Sequence, residues 1–509
     1  IIPSPDGDAT ERAAGGLRVG LVSVEFGLFF VAFFALYWAF WQHPRTQYAL
    51  LTLTSLGLLW HYASPVACAA FVGFTVFAWL VSRAMDAQPR IPRKAWLWVG
   101  IAGGVAHLAF WKYAEFFRVP LRESLAAHGL GTGWLESTWL LPLGVSYYTF
   151  QGISYLHARY RKEIDAAQRF SLFDLLGHFG LFLTITSGPI LRARNARHLT
   201  DFEGRECNAL DQIRQATPRM VLAPTLALTL VLLALAKKWW LAGWLAETIV
   251  DPVFANPAQF QSLDVLAAIY GYTLQLFFDF SGYSDLVVGL GMLLGLRIPV
   301  NFRAPLLAFN IRQFWDRWHI SLSVWIRDYL YIPLGGSRDG FSRTQLNLFI
   351  ALVLSGLWHG QGWNFALWGF LHASALVLLN IGDRLLGGRE KLAALGWAGK
   401  ALGVFVTVNF VCFAFVFFRA THLADAIAVF RALGGNLLDV PIATDAPLLL
   451  LAMLAALLAY PWLTRAPARY ASALGKLPAW LRPAPLLATL AVIAVLAPSG
   501  VPGFIYANF

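Results

Sequence analysis

Charge is scarce in this chain. Only 13% of its 509 residues are Asp, Glu, Lys or Arg, against about 25% in an ordinary soluble domain. That is too little to cover the water-facing surface of a protein this long, which argues against a soluble globular enzyme. Cysteine is scarcer still, with three residues, Cys68, Cys207 and Cys412, and no CxxC pair. Neither a disulfide framework nor a zinc site is suggested. Cys68 and Cys412 sit in apolar stretches, where a thiol packs as a small hydrophobe. Several catalytic signatures are also missing. There is no HExxH, no Walker P-loop and no GxSxG elbow, and no His is followed by Asp five positions on. A covalent serine mechanism in this chain is therefore unsupported. Short alternating strands of an outer-membrane barrel are absent, and so is any visible internal repeat, which counts against a transporter built from related halves.

What the chain has in excess is apolar sequence: 58% of residues are hydrophobic and the mean hydropathy is +0.59. A helix needs about 20 apolar residues to cross a bilayer. Candidate segments lie near 17–40, 47–62, 65–84, 94–113, 138–157, 171–190, 219–246, 263–295, 345–358, 361–381, 399–418, 446–463 and 484–498. The expectation is an all-α, polytopic membrane protein of roughly 11–14 transmembrane or re-entrant helices. A polar segment at 1–16 precedes one transmembrane domain over 17–509. The first residue is Ile rather than Met, so the natural chain is expected to start upstream. The stretch from Leu17 is too long for a leader's apolar core and reads as a retained helix. The net charge of +11 falls in short basic runs between apolar segments, such as Arg159–Lys162 and Arg192–Arg194. That is the pattern of cytoplasmic loops, not of a nucleic-acid surface.

The longest mixed stretches are 114–137, 191–218 and 297–344, and the last is the unusual one. Were Ile311–Tyr329 one helix, Arg312, Asp316, His319, Ser323 and Arg327 would recur at spacings of three and four and share a face. Phe314, Trp318, Leu322 and Trp325 would form an apolar face beside it. Two readings stay open: an interfacial helix with Trp and Arg at the headgroups, or a polar face along a hydrated cavity. Further on, His359 stands between two apolar segments with Gly356, Gly360 and Gly362 around it. A histidine there is either a packing residue or a proton carrier, since ionisable groups at membrane depth mark sites and imidazole exchanges protons near neutral pH. Asp279 and Asp285 lie in a long apolar run and need cationic partners, for which the arginines of 301–336 are candidates. Gly291 and Gly295 form a GxxxG pattern that reads as helix packing.

RQFWDRWHISLSVWIRDYLYIPLGG, from Arg312, and GLWHGQGWNFALWGFLHA, from Gly356, resemble the signature of the membrane-bound O-acyltransferase superfamily. The resemblance is closest to its bacterial alginate O-acetyltransferase branch. LPLGVSYYTFQGISYL, SGPILRARN, FFDFSGYSDLVVGLGMLLG, FVCFAFVFFRA and the terminal GFIYANF agree with it. The matching region covers about 140–420 and the C-terminus.

The resemblance implies that His359 is the catalytic histidine and His319 a second, supporting one. It implies a helical bundle with a central tunnel and an acyl thioester arriving from the cytoplasm. It also implies a bacterial inner-membrane location and partners in a polysaccharide pathway, among them a periplasmic SGNH-type acetyltransferase. No cofactor or metal is expected, and acetyl-CoA or another acyl thioester is the expected donor. From chemistry rather than motif, Trp358, Asn364 and the amides near Gly360 are candidates to hold an oxyanion. Arg312, Arg317 and Arg327 are candidates for donor phosphates, with Asp316, Ser323 and Asp328 as further polar contacts. The alternatives are D-alanyl or other acyl transfer to teichoic acid, lipid or protein, and a non-catalytic acyl or polymer transporter.

Overall fold

The computed structural model describes residues 21–87, 90–133, 142–165, 168–194, 196–360, 362–387, 396–437 and 441–498. The polar segment 1–16, the terminal GFIYANF, Asn195 and Gln361 lie outside them. Among the described residues the secondary structure is helical, with two isolated bridges as the only extended pairing. Six helices among the described residues are long and apolar enough to cross a membrane. The chain packs as two compact units. The first runs to Leu222 and adds Gly291–Pro299; the second is Ala223–Leu290 with Val300 onward.

The first unit contains α1 (Val24–Ala39), α2 (Pro44–Leu58), α3 (Pro65–Ala87), α4 (Arg93–Ala127), α5 (Val145–Tyr160), α6 (Leu172–Phe179) and α7 (Ala209–Ile213). Its core joins Phe71 and Phe74 of α3, Tyr148 and Tyr155 of α5 and Phe179 of α6. The expected segment 171–190 is helical only to Phe179 and then folds into buried turns. Ser171 and Asp174 cap the start of α6 reciprocally, and the chain turns at Gly180, where a Cβ would lie 2.7 Å from Leu176 O. Arg159, taken from sequence as a loop charge, is 2% exposed. It pairs with Asp86, which also binds Arg93 at 2.8 Å, and it donates to Ile164 O at 3.0 Å and Asp165 O at 2.9 Å. Its guanidinium thus ties α3 to the turn after α5.

The second unit is built on α8 (Pro224–Ala255) and α9 (Ser262–Leu293). α9 has 32 residues, about 48 Å at 1.5 Å per residue, and 83% of its apolar window is buried. It is the unit's central post. By contrast, only 6% of the Ala446–Leu463 window is buried, as suits a lipid-facing helix. The remaining elements are α10 (Ile311–Trp315), α11 (Ile320–Ile326), α12 (Phe341–His359), α13 (Trp363–Leu386), α14 (Gly396–Arg419), α15 (Leu423–Gly435), α16 (Ala446–Leu463), α17 (Ala466–Lys476) and α18 (Pro483–Leu496).

Charges inside this apolar unit are paired. α8 widens into a π turn at Ala236–Ala242, and there Lys237 meets Asp285 at 2.6 Å while Lys238 pairs with Asp279. The partners of the two carboxylates are therefore lysines of α8, not arginines of 301–336. Gly282, midway between them on α9, would place a Cβ 3.1 Å from Lys237 Cβ and 3.2 Å from Ala234 O, so its missing side chain lets the two helices meet. Gly291 and Gly295 do not pack two helices. They end α9: Gly295 has φ +73°, and a Cβ on Gly291 would strike Ile298 at 2.6 Å, where the chain folds back.

α12 and α13 form a hairpin in backbone contact. A Cβ on Gly356 would lie 2.5 Å from Phe365 O and 2.8 Å from Gly369 Cα, and one on Gly369 would lie 2.9 Å from Leu352 O.

Two outcomes follow. Gly356→Leu should separate α12 from α13 and abolish folding, read as loss of a monodisperse peak in detergent, whereas Gly382→Ala, with open space around it, should be silent. Lys238→Met alone should destabilise by about 3–5 kcal/mol, because it leaves Asp279 charged and buried. Lys238→Met with Asp279→Leu should recover most of that loss in thermal unfolding.

Candidate active site

The stretch around His319 is not one helix. α10 ends at Trp315, the chain turns through Asp316–Trp318, and His319 takes a left-handed conformation with φ 44°. α11 begins at Ile320 and widens into a π turn at Arg327–Tyr331. A fully buried Asn301 pins the break. Its carbonyl accepts from Ile320 N at 3.0 Å and its Oδ1 from Ser321 N at 3.0 Å. Arg303 N donates to Arg317 O at 3.0 Å, and the Ser323 hydroxyl donates to Trp318 O at 3.1 Å. The single polar face expected from the spacing is therefore lost, because the helical register stops at His319.

The turn still gathers charge. The charges of Arg312, Arg317 and Arg327 all act on the carboxylate of Asp316. Arg312 also binds Asp383 at 3.0 Å and Asn380, and Arg327 Nε binds Asp328 at 2.8 Å. Of the three arginines, Arg317 has the weakest tie, a 3.4 Å contact with Ala304 O.

His319 is 1% exposed and sits edge-on to Phe280 at 4.6 Å. Neither ring nitrogen has a hydrogen-bond partner among the described residues. Burial pushes its pKa down from 6.5 to about 3, so the ring is neutral at physiological pH.

His359 ends α12, one turn beyond the Gly356 crossing. It is 4% exposed and lies among three aromatic rings: Trp358 at 4.7 Å, Trp368 at 5.1 Å and Phe418 at 5.1 Å. The family resemblance implies a tunnel at these histidines; here aromatic rings lie against each imidazole, Phe280 at His319 and Trp358, Trp368 and Phe418 at His359. A run of rings links the two: Phe280 to Phe302 at 5.0 Å, Phe302 to Trp318 at 5.1 Å, Trp318 to Phe415 at 5.4 Å and Phe415 to Phe418 at 6.0 Å.

Asn364 cannot hold an oxyanion. It is 1% exposed, and its amide nitrogen donates to Phe417 O at 3.2 Å and Ala420 O at 2.7 Å. Its two N–H bonds tether the start of α13 to the end of α14. Trp358, half-buried beside His359, keeps its place in the candidate site.

Sequence reasoning missed His372. It is fully buried on α13, with Trp368 at 4.7 Å, Trp315 at 5.2 Å and Phe410 at 5.2 Å. Trp368 thus touches both His359 and His372. The signal was available: an ionisable residue in an apolar helix, one turn after Trp368.

The fold and this site define a multi-pass membrane protein with buried histidines at helix breaks. The chain matches the membrane-bound O-acyltransferase family over residues 21–418. It is 33% identical to the probable alginate O-acetylase AlgI of Pseudomonas putida, over 80% of this chain and 78% of that one. It is 31% identical to the peptidoglycan O-acetyltransferase of Helicobacter pylori, over 72% of this chain and 69% of the other. It is 28% identical to the teichoic acid D-alanyltransferase of Streptococcus thermophilus, over 54% and 68%. The chain belongs to the membrane-bound O-acyltransferase family and is an O-acyltransferase.

The buried, neutral His319 generates a pH dependence. Its folded pKa lies below its unfolded value of 6.5, so the unfolded state binds the proton first. Its contribution is complete above about pH 6.5 and is lost as pH falls toward about 3, at up to ~1.4 kcal/mol per pH unit. His319→Gln should flatten the acid limb of a thermal-stability profile. Asn364→Leu should cost about 1–3 kcal/mol by leaving two carbonyls unpaired, with activity falling only as far as folded protein falls.

Proposed function

We propose that the chain transfers an acetyl group from a cytoplasmic thioester, acetyl-CoA or a similar donor, toward O-acetylation of an extracytoplasmic polysaccharide. The observation that carries the reading is the place of His359: a buried imidazole at the end of a helix, beside Gly360, in an O-acyltransferase. An acceptor hydroxyl attacks the thioester carbonyl as His359 takes its proton. The C–O bond forms, the C–S bond breaks, and the proton passes from His359 to the leaving thiolate. Such general acid–base work contributes a factor of about 10² to 10⁴, and positioning supplies much of the rest.

Access requires the aromatic enclosure to open. His319, neutral, acts as the supporting imidazole. Arg317 is the arginine best placed to meet donor phosphate, because Arg312 and Arg327 already hold carboxylates. The protein works in a bacterial inner membrane, and a periplasmic SGNH-type transferase hands acetyl to the polymer. The relatives named for O-acetyl transfer match more of the chain, at higher identity, than the D-alanyltransferase does, which supports O-acetyl transfer over the second reading, D-alanyl transfer to teichoic acid.

In cells that make the polymer, His359→Gln should remove at least 99% of its O-acetyl groups with protein level unchanged, measured by NMR of the purified polysaccharide. Full acetylation in that strain would overturn the assignment.

A further inference from the structure

The first unit holds a chamber that the transfer reaction does not use. Tyr48, Gly177, His178, Gln212, Arg219 and Arg297 are among the residues that line a cavity of about 30 Å³, room for about two water-sized atoms. Arg219 is 2% exposed. Only its Nη2 is bonded, to Gln212 O at 2.6 Å; Nε and Nη1 have no partner among the described residues. His178, 1% exposed, presents two ring nitrogens that also lack one.

Among the described residues, Asp174, Asp201 and Glu203 beside this chamber already meet other arginines. Asp174 binds Arg214 at 3.0 Å, and Asp201 binds Arg297 at 3.0 Å, with Glu203 3.7 Å from the same guanidinium. The phenols nearest Arg219 in charge, Tyr37 and Tyr48, donate to Leu294 O and Asp174 O, each at 3.0 Å. A buried guanidinium without a counter-charge is costly; Arg159, also buried, has Asp86.

We propose that this chamber is an anion site, in which a monatomic anion the size of chloride is clasped by Nε–H and Nη1–H of Arg219 and by an imidazole N–H of His178. Acetate, sulfate and phosphate esters, each with four or more heavy atoms, exceed the space. Gln212 sets the site's geometry, because its side chain bonds Arg297 N at 2.6 Å and Arg297 O at 3.0 Å while its carbonyl holds Arg219. The anion locks the chain segments on either side of the chamber, 177–219 and 296–298, to one another.

The test is thermal unfolding of the full chain in nanodiscs at constant ionic strength, with sodium chloride, acetate, sulfate or gluconate. Chloride should raise the midpoint by about 2–4 °C with saturation, and acetate, sulfate and gluconate should not. Arg219→Gln and, separately, His178→Gln should abolish the response. A bromide-soaked crystal of the unaltered protein should show an anomalous peak within hydrogen-bond distance of Arg219, which decides the matter should both variants fail to fold. Equal midpoints in all four salts, or no bromide peak in the chamber, would overturn the proposal.

Discussion

Two helices touching backbone to backbone at Gly356 and Gly369 set the geometry that the chemistry requires. The contact fixes the crossing of α12 and α13, and His359 follows one turn later. Gly360 lies over the Phe365 ring, at 2.2 Å from a hypothetical Cβ, and Asn364 ties the start of α13 to the end of α14. Trp368, one turn beyond Asn364, then lies against His359 and His372. Any side chain at the crossing would move the imidazole by more than the tolerance of a proton transfer.

The second constraint is the cost of charge away from water. A chain with so few ionised groups still places Lys237, Lys238, Asp279 and Asp285 between its two longest membrane helices, and it pairs each of them. Arg312 with Asp383 and Arg159 with Asp86 repeat the rule. The three histidines His178, His319 and His372 meet it differently, by burying a side chain that can shed its charge. Arg219 is the departure, a buried cation whose Nε and Nη1 have no partner among the described residues.

Much of this was legible in the sequence. Apolar segments long enough to span a bilayer, together with the low charge, announced the helical membrane protein, and the runs around His319 and His359 pointed to the family. The local geometry was less legible. Helical spacing over 311–329 suggested one face, but a hydrogen-bonded clamp from Asn301, ten residues upstream of that stretch, imposes the break at His319. Nothing in periodicity reports a partner that distant. Asn364 looked like an oxyanion donor because its type is right; only the positions of Phe417 O and Ala420 O show its N–H bonds committed. The lysine partners of Asp279 and Asp285 lie some forty residues earlier in the chain, in a π turn that no simple pattern marks.

The catalytic account requires the enclosure around His359 to open for a thioester. The direct measurement is mass-spectrometric mapping of diethylpyrocarbonate modification at His359 in native membranes, with and without acetyl-CoA. The account predicts slow modification of His359 that saturating donor suppresses, in step with loss of activity. A His359 that never reacts while turnover continues, or one whose modification leaves turnover intact, would contradict it.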